Sequence, residues 1–213
     1  PVCPHLRLPL RRRRQICIGD RIGQDTGWAA FSSVAIGNEQ GGSEAGRHLC
    51  DLGYEAIGLI LGSRALEESA HRRQGVERAL SEAGIAVSDR HVAEGDYSQE
   101  SGHSIVRAWA EQGRMPRALF CASDTMAMGA LLALNEAGYA VPDEVALVGF
   151  DDLPAAQYTI PPLTTVRQPV YEKGQAAIDL LIDHIENAEP NPEHTELEPE
   201  LVVRQSCGAR QNP

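Results

Sequence analysis

The chain has 213 residues, 42% hydrophobic and 23% charged, the make-up of a soluble globular protein with room for one large domain or two lobes. No apolar run approaches the roughly 20 residues of a membrane span, and the N-terminal stretch has no signal-peptide core or cleavage site, so no membrane partner and a cytoplasmic location are expected. A net charge of −11 opposes phosphate backbones, and five scattered cysteines with no Cys-x-x-Cys pair suggest neither a zinc site nor a disulfide framework.

In chain order, Arg7, Arg11, Arg12, Arg13 and Arg14 come first, within residues 1–15 and with no acid beside them, which leaves 14 basic against 30 acidic side chains in the remainder. The run at 11–14 could touch DNA, but we read it as a disordered basic tail or a consequence of where the chain begins. A short strand is expected at residues 34–36 and a helix at 43–52. Residues 56–61 form an apolar run, followed by a helical pattern with Val76, Ala79, Leu80 and Ala83 on one face and Gly84 in the stop position. A weak strand at 91–93 precedes a helix at 101–112 that buries Ile105, Val106 and Trp109 and stops at Gly113. A second buried run spans 118–122. Ser123 or Asp124 can cap the next helix, 125–137, which is apolar nearly all round and so expects a second partner besides the sheet. A third buried run spans 145–150, then come a short strand at 164–167 and a helix at 171–187 striped with Ala177, Ile178, Leu181, Ile182 and Ile185. Residues 186–200, with six glutamates and three prolines, read as a solvated linker before an edge strand at 201–203. Continuous apolar strands alternating with helices predict an α/β fold with a parallel sheet covered on both faces.

In such sheets ligands bind outside the carboxyl ends of the strands. Polar residues gather there: Gly62, Ser63 and Arg64 after the first long run, Asp96 and Tyr97 after the weak strand, Ser123 and Asp124 after the second run, and Asp151 and Asp152 after the third. Arg72, early in the neighbouring helix, can add a donor, and its step to Gly75 favours it over Arg73. Carboxylate, guanidinium, hydroxyl and one aromatic ring suit a polyhydroxy ligand, whose hydroxyls need donors and acceptors and whose ring face can stack on Tyr97. Plainer roles compete: Asp151 as a turn cap, Tyr97 as packing, Ser123 as a helix cap alone. His71, His91 and His103 show no metal-ligand spacing and read as surface or satisfied residues. No nucleophile elbow or phosphate loop is present, and neighbouring carboxylates after a strand diverge, so no enzyme activity and no cofactor are expected.

The stretches ALFCASDTMAMGALLALNEAGYAVPDEVALVGFDD and PPLTTVRQP, with GDYSQESG, RRQGVERAL and GRHLCDLGYEAIGLI, resemble the effector-binding core of the LacI/GalR family of bacterial transcriptional repressors over about residues 16–207. The resemblance implies a periplasmic-binding-protein-like type I fold, two parallel-sheet lobes joined by three crossovers near residues 53–56, 163–166 and 190–199. Its division would be a basic non-family tail (1–15), a partial N-terminal lobe (16–54 and 165–189), a C-terminal effector-binding lobe (55–164 and 198–207) and a tail (208–213). It implies Asp151 as acceptor for ligand hydroxyls, Arg72 as anchoring donor, Tyr97 as stacking partner and Ser123 as a further contact where many members have Asn. Asp152 and Asp124 would be structural. The effector would be a sugar or sugar derivative. The protein would be a homodimer through the helix after Asp124 and the turn at 158–162, reaching operator DNA only through a DNA-binding region that this chain does not show. Gly37 stands where the family usually has Asp before Asn38, and what precedes Ile16 departs from the family, so we read a truncated or mis-started product, or a fragment. The competing readings are the sugar-binding protein of a transport system and a regulator that has lost function.

Overall fold

A computed structural model describes residues 32–186 and 193–209; the arginine run and the segment at 16–23 lie outside them. The elements are β1 (Ser33–Ile36), α1 (Asn38–Asp51), β2 (Ile57–Leu61), α2 (Glu67–Glu82), β3 (Val92–Glu94), α3 (Gln99–Glu111), β4 (Ala118–Cys121), α4 (Asp124–Glu136), β5 (Ala146–Asp151), β6 (Thr164–Arg167), α5 (Val170–Glu186), β7 (His194–Leu197) and β8 (Glu200–Val202).

Six strands form one sheet in the order β3-β2-β4-β5-β6-β8, parallel except for β8, which runs antiparallel along β6. Every residue of β2 and β4, and all but the last of β5, is buried, as apolar strands covered on both faces should be. Neighbouring residues of β5 show which helices do the covering. A Cβ at Gly149 would meet Asp124 of α4, whereas the ring of Phe150 packs on Gly41 of α1. Side chains alternate across a strand, so α1 and α4 lie on opposite faces; α2 pairs with α1 and α3 with α4.

The first helix begins at Asn38, five residues before the predicted start. Gly41 and Gly42 weaken helix propensity, which hid the first turns from a periodicity reading. Packing explains their presence. A Cβ at Gly42 would lie 2.2 Å from the Arg72 carbonyl oxygen, and one at Gly75 would lie 1.9 Å from that of Glu39. The two helices cross at a separation only glycine permits. Ala45 and Leu49 of α1 then enter the core of the large sheet, so α1, grouped by the sequence with the smaller lobe, packs with the larger one.

A second, two-stranded sheet pairs β1 with β7 in parallel, Ser33 opposite His194 through Ile36 opposite Leu197, and α5 packs against β1. β7 corrects the expectation of a solvated linker across 186–200. His194 and Glu196 face solvent while Thr195 and Leu197 are half-buried, an alternation that lets a glutamate-rich segment pair through its backbone. The apolar stripe of α5 is not buried: Ile178, Ile182 and Ile185 are all exposed.

The chain passes between the two sheets three times, at Gly37, at residues 168–169 and at residues 198–199. The first crossing falls here rather than at 53–56 because α1 already belongs to the large sheet. The first and third crossings touch: the Gly37 amide donates to the Leu197 carbonyl at 2.9 Å, and Pro199 Cδ would be 3.3 Å from a Cβ at Gly37.

Candidate functional site

The polar residues predicted at the strand ends do collect at one end of the large sheet. Three of them, Tyr97 (φ 68°), Asp151 (φ 118°) and Asp152 (φ 53°), are the non-glycine residues with left-handed backbone among the described residues. Such conformations cost on the order of 1–3 kcal/mol each and persist only where the surroundings enforce them, often at ligand sites.

Arg72 organises this end. It projects from the second turn of α2 and is 6% exposed. Its Nε donates to Asn38 Oδ1 (2.8 Å), and its Nη1 donates to the Ala122 carbonyl (2.6 Å) and to Asp151 Oδ1 (3.3 Å). The guanidinium lies over the Phe150 ring, 3.9 Å from its centroid. Nη2 makes no hydrogen bond among the described residues. Arg73 instead lies beside Glu77, with a 2.8 Å ion pair, so the step to Gly75 identified the inward-facing arginine.

Asp151 ends β5. Its Oδ1 also accepts from Gln168 Nε2 at 2.5 Å. Burial pushes its carboxyl above the ordinary range, while Arg72, Gln168 and the Asp124 backbone amide hold it back. Asp152 diverges from its neighbour and accepts from Arg204 Nη2 (2.6 Å) and Arg167 Nε (2.7 Å). Burial opposes its charge, but the two arginines outweigh burial and hold the carboxyl below its ordinary value.

Of the two possible caps for α4, the structure uses Ser123, whose hydroxyl accepts from the Met126 amide at 3.2 Å and is buried. Asp124 accepts from Thr165 Oγ1 of β6 (2.5 Å) and from the Leu153 amide in the turn after β5 (2.8 Å). It is wholly buried, and that burial pushes its carboxyl up to about 7 against the pull of those two bonds. Tyr97 is half-buried with its ring packed on Gly62, where a Cβ would sit 2.1 Å from Cζ. Asp96 folds back on the Ser98 amide at 2.9 Å, and hydrogen bonds with Ser98 and Ser101 bring its carboxyl down to about 2.

The structure therefore joins two of the four sequence-predicted contacts directly, Arg72 and Asp151. Ser123 is the chain neighbour of Ala122, whose carbonyl Arg72 grips. Tyr97 stands over Gly62. Two cavities open beside the first turns of α2. One, of about 240 Å³, lies between the small sheet and α2, lined in part by Asn38, Glu39, Glu68, His71 and Glu196. The other, of about 370 Å³, lies at the ends of β2 and β3 beside Gly62, Arg64, Arg73 and Glu94. None of the four predicted contacts lines either one. Asn38 and Gln168, which hold Arg72 and Asp151, were not singled out by the sequence: amides in connecting segments carry neither charge nor periodicity, and their position at the two crossings was the available signal. Among the histidines, His91 is satisfied by the Arg114 carbonyl at 3.0 Å, and His103 pairs with Glu136 at 2.7 Å.

A mainly parallel sheet between two helix pairs, joined to a second sheet by three adjacent crossings with polar residues at the strand ends, defines a periplasmic-binding-protein-like module, and the periplasmic binding protein-like domain family matches residues 47–207. The chain is 38% identical over 179 residues to the HTH-type transcriptional repressor PurR of Escherichia coli O1:K1 / APEC, across 84% of this chain and 52% of that one. It is similar in structure to the transcriptional regulator CelR in its cellobiose complex, with 34% identity and a TM-score of 0.81 over 86% of this chain and 57% of that one. A LacI-family regulatory protein from Chloroflexus aggregans is 32% identical with a TM-score of 0.81, over 88% and 67%. The chain belongs to the LacI family of transcriptional regulators. It spans about half the length of the curated relatives it matches.

Proposed function

We propose that this chain is the effector-sensing part of a cytoplasmic LacI-like transcriptional repressor, and that it binds a small uncharged sugar or sugar derivative between its lobes. The observation that carries the reading is the Arg72–Asp151 pair at the end of β5. Arg72 is clamped on Nε and Nη1, and the Asp151 side chain retains 21% of its surface. A fixed donor next to a fixed acceptor suits a hydroxyl, which needs both. Tyr97 supplies a ring face at the same rim and Ser123 a hydroxyl, on this reading. Asp151 and Asp152 point to different arginines, which speaks against a paired-carboxylate acid–base site.

Ligand held between the lobes favours one lobe arrangement and so shifts a pre-existing equilibrium. In the whole repressor that shift would alter dimer geometry and operator affinity, the DNA contact being made by a DNA-binding region. Leu132 on α4 (53% exposed), Tyr158 (78%) and Ile160 (85%) are the exposed apolar residues we assign to the homodimer. Domain limits follow the crossings: residues 38–167 and 199–207 as the effector lobe, 32–36, 170–186 and 193–197 with the smaller one.

The test is isothermal titration of the 213-residue chain with neutral mono- and disaccharides, cellobiose included. Asp151→Ala and Arg72→Ala should each weaken the binding found by about 1.5–3 kcal/mol, the scale of a charge-assisted hydrogen bond. Affinity unchanged from wild type in both variants, or no saccharide bound at millimolar concentration, overturns the reading.

A further inference from the structure

We infer that Asn38 and Gln168 are positioning residues that tie the Arg72–Asp151 pair to two of the lobe crossings, so that motion of the small lobe is transmitted to the pair; this rests on reading Arg72 and Asp151 as effector contacts. Asn38 directly follows the first crossing at Gly37 and is 7% exposed. Its Nδ2 donates to the carbonyl of Ile36, the last residue of β1, at 3.1 Å, while its Oδ1 accepts from Arg72 Nε at 2.8 Å. One side chain thus links the small sheet to the arginine of the large lobe. An amide fits both ends because it donates and accepts at once, whereas a carboxylate cannot donate and a lysine cannot accept.

Gln168 sits at the second crossing, between β6 and α5. It holds Asp151 Oδ1 at 2.5 Å, the same oxygen that Arg72 Nη1 reaches at 3.3 Å. The result is a continuous chain of polar contacts from Ile36 through Asn38, Arg72 and Asp151 to Gln168. It begins in β1 and ends at the segment entering α5, the helix that packs on β1. Each crossing grips one member of the pair from its outer side. The longest link is the central one, between the two side chains that would meet the effector. Rotation of the small lobe changes the two outer anchors together, and the central contact is the one with slack to respond.

Residues in one hydrogen-bond network couple, whereas separate local caps act independently. The experiment follows the Arg72 Nε–H and the Asn38 side-chain amide signals by ¹⁵N NMR in the full 213-residue chain, with no ligand. Gln168 is half-exposed, so Gln168→Ala is the folding-safe variant. It touches neither reporter, yet it should shift both signals and speed Arg72 Nε–H exchange with solvent by about tenfold. Asn38→Asp, which keeps the acceptor for Nε, should retain the slow Arg72 exchange that Asn38→Leu loses. Both reporters unchanged in Gln168→Ala, or Arg72 exchange equally fast in Asn38→Asp and Asn38→Leu, overturns the relay. Saccharide titrations run on the same samples separate the two ideas: coupled NMR signals without sugar binding uphold the relay and count against the effector assignment alone.

Discussion

Gly75→Ala tests the crossing of α1 and α2 that places Arg72. The added Cβ would lie 1.9 Å from the Glu39 carbonyl oxygen and 2.8 Å from the Ser43 amide nitrogen, both backbone atoms that cannot rotate away. Restoring ordinary contact requires the helices to part by about 1.5 Å, since close-packed interiors have no slack to absorb it. Alanine contributes about 1 kcal/mol of helix propensity in its favour. Against that stand about 1–3 kcal/mol for overpacking and, because Asn38 starts the displaced helix, about 1.5–3 kcal/mol from weakening its bond to the Arg72 guanidinium. The net expectation is a loss of about 1.5–5 kcal/mol, a drop in Tm of roughly 3–20 °C for a protein of this size. Thermal melts followed by circular dichroism measure it. Gly174→Ala on α5 is the control: nothing lies within 4 Å of its Cβ position, so this variant should gain about 0.5–1 kcal/mol. A Gly75→Ala protein that melts at or above wild type would refute the argument that backbone contact, rather than local helix preference, decides this position.

Asp124 should make stability depend on pH in an unusual direction. The folded chain holds its proton up to about pH 7, whereas the ordinary value is 3.8, so its contribution is full below pH 3.8 and is lost as pH rises through about 7. Urea titrations of wild type and Asp124→Asn should therefore converge or cross between about pH 4 and 7, by up to about 1.4 kcal/mol per pH unit, and parallel profiles would contradict the burial argument. Ser123→Ala removes the α4 cap and should cost about 1 kcal/mol in the same assay, with no loss read as evidence that the Met126 amide finds another acceptor. Arg204→Met strips the Leu163 carbonyl and Asp152 of a shared donor, and a loss of about 2 kcal/mol is expected in urea. A neutral result there would mean that Arg167 alone satisfies Asp152.

The large sheet was legible because β2, β4 and β5 are buried on both faces and so are written as unbroken apolar runs. The stops at Gly84, Gly113 and Gly138 were legible too, since each glycine takes the positive φ that ends its helix. What failed were the places where tertiary contact overrides local preference. Gly41 and Gly42 look like a turn until the Phe150 ring is seen against the first and the Arg72 carbonyl against the second, and β7 looks like a linker until β1 pairs with it. At the site, charge drew attention to Arg72 and Asp151, and the step to Gly75 picked the buried arginine because Gly75 marks the face of α2 pressed on α1. Asn38 and Gln168 remained invisible because their role is relational: each matters through the side chain it holds.

The antiparallel strand β8 and the residues after it have a consequence for how the molecule is made. Ser206 is fully buried, its hydroxyl donates to the Leu147 carbonyl (2.6 Å) and accepts from the Thr164 amide (2.8 Å), and the Leu147 amide donates to its carbonyl (2.7 Å). The interior of the large sheet is thus finished by residues the ribosome delivers after everything else that sheet contains. Until they emerge, β6 is an open border with its backbone groups unspent, a template on which a neighbouring nascent chain could pair.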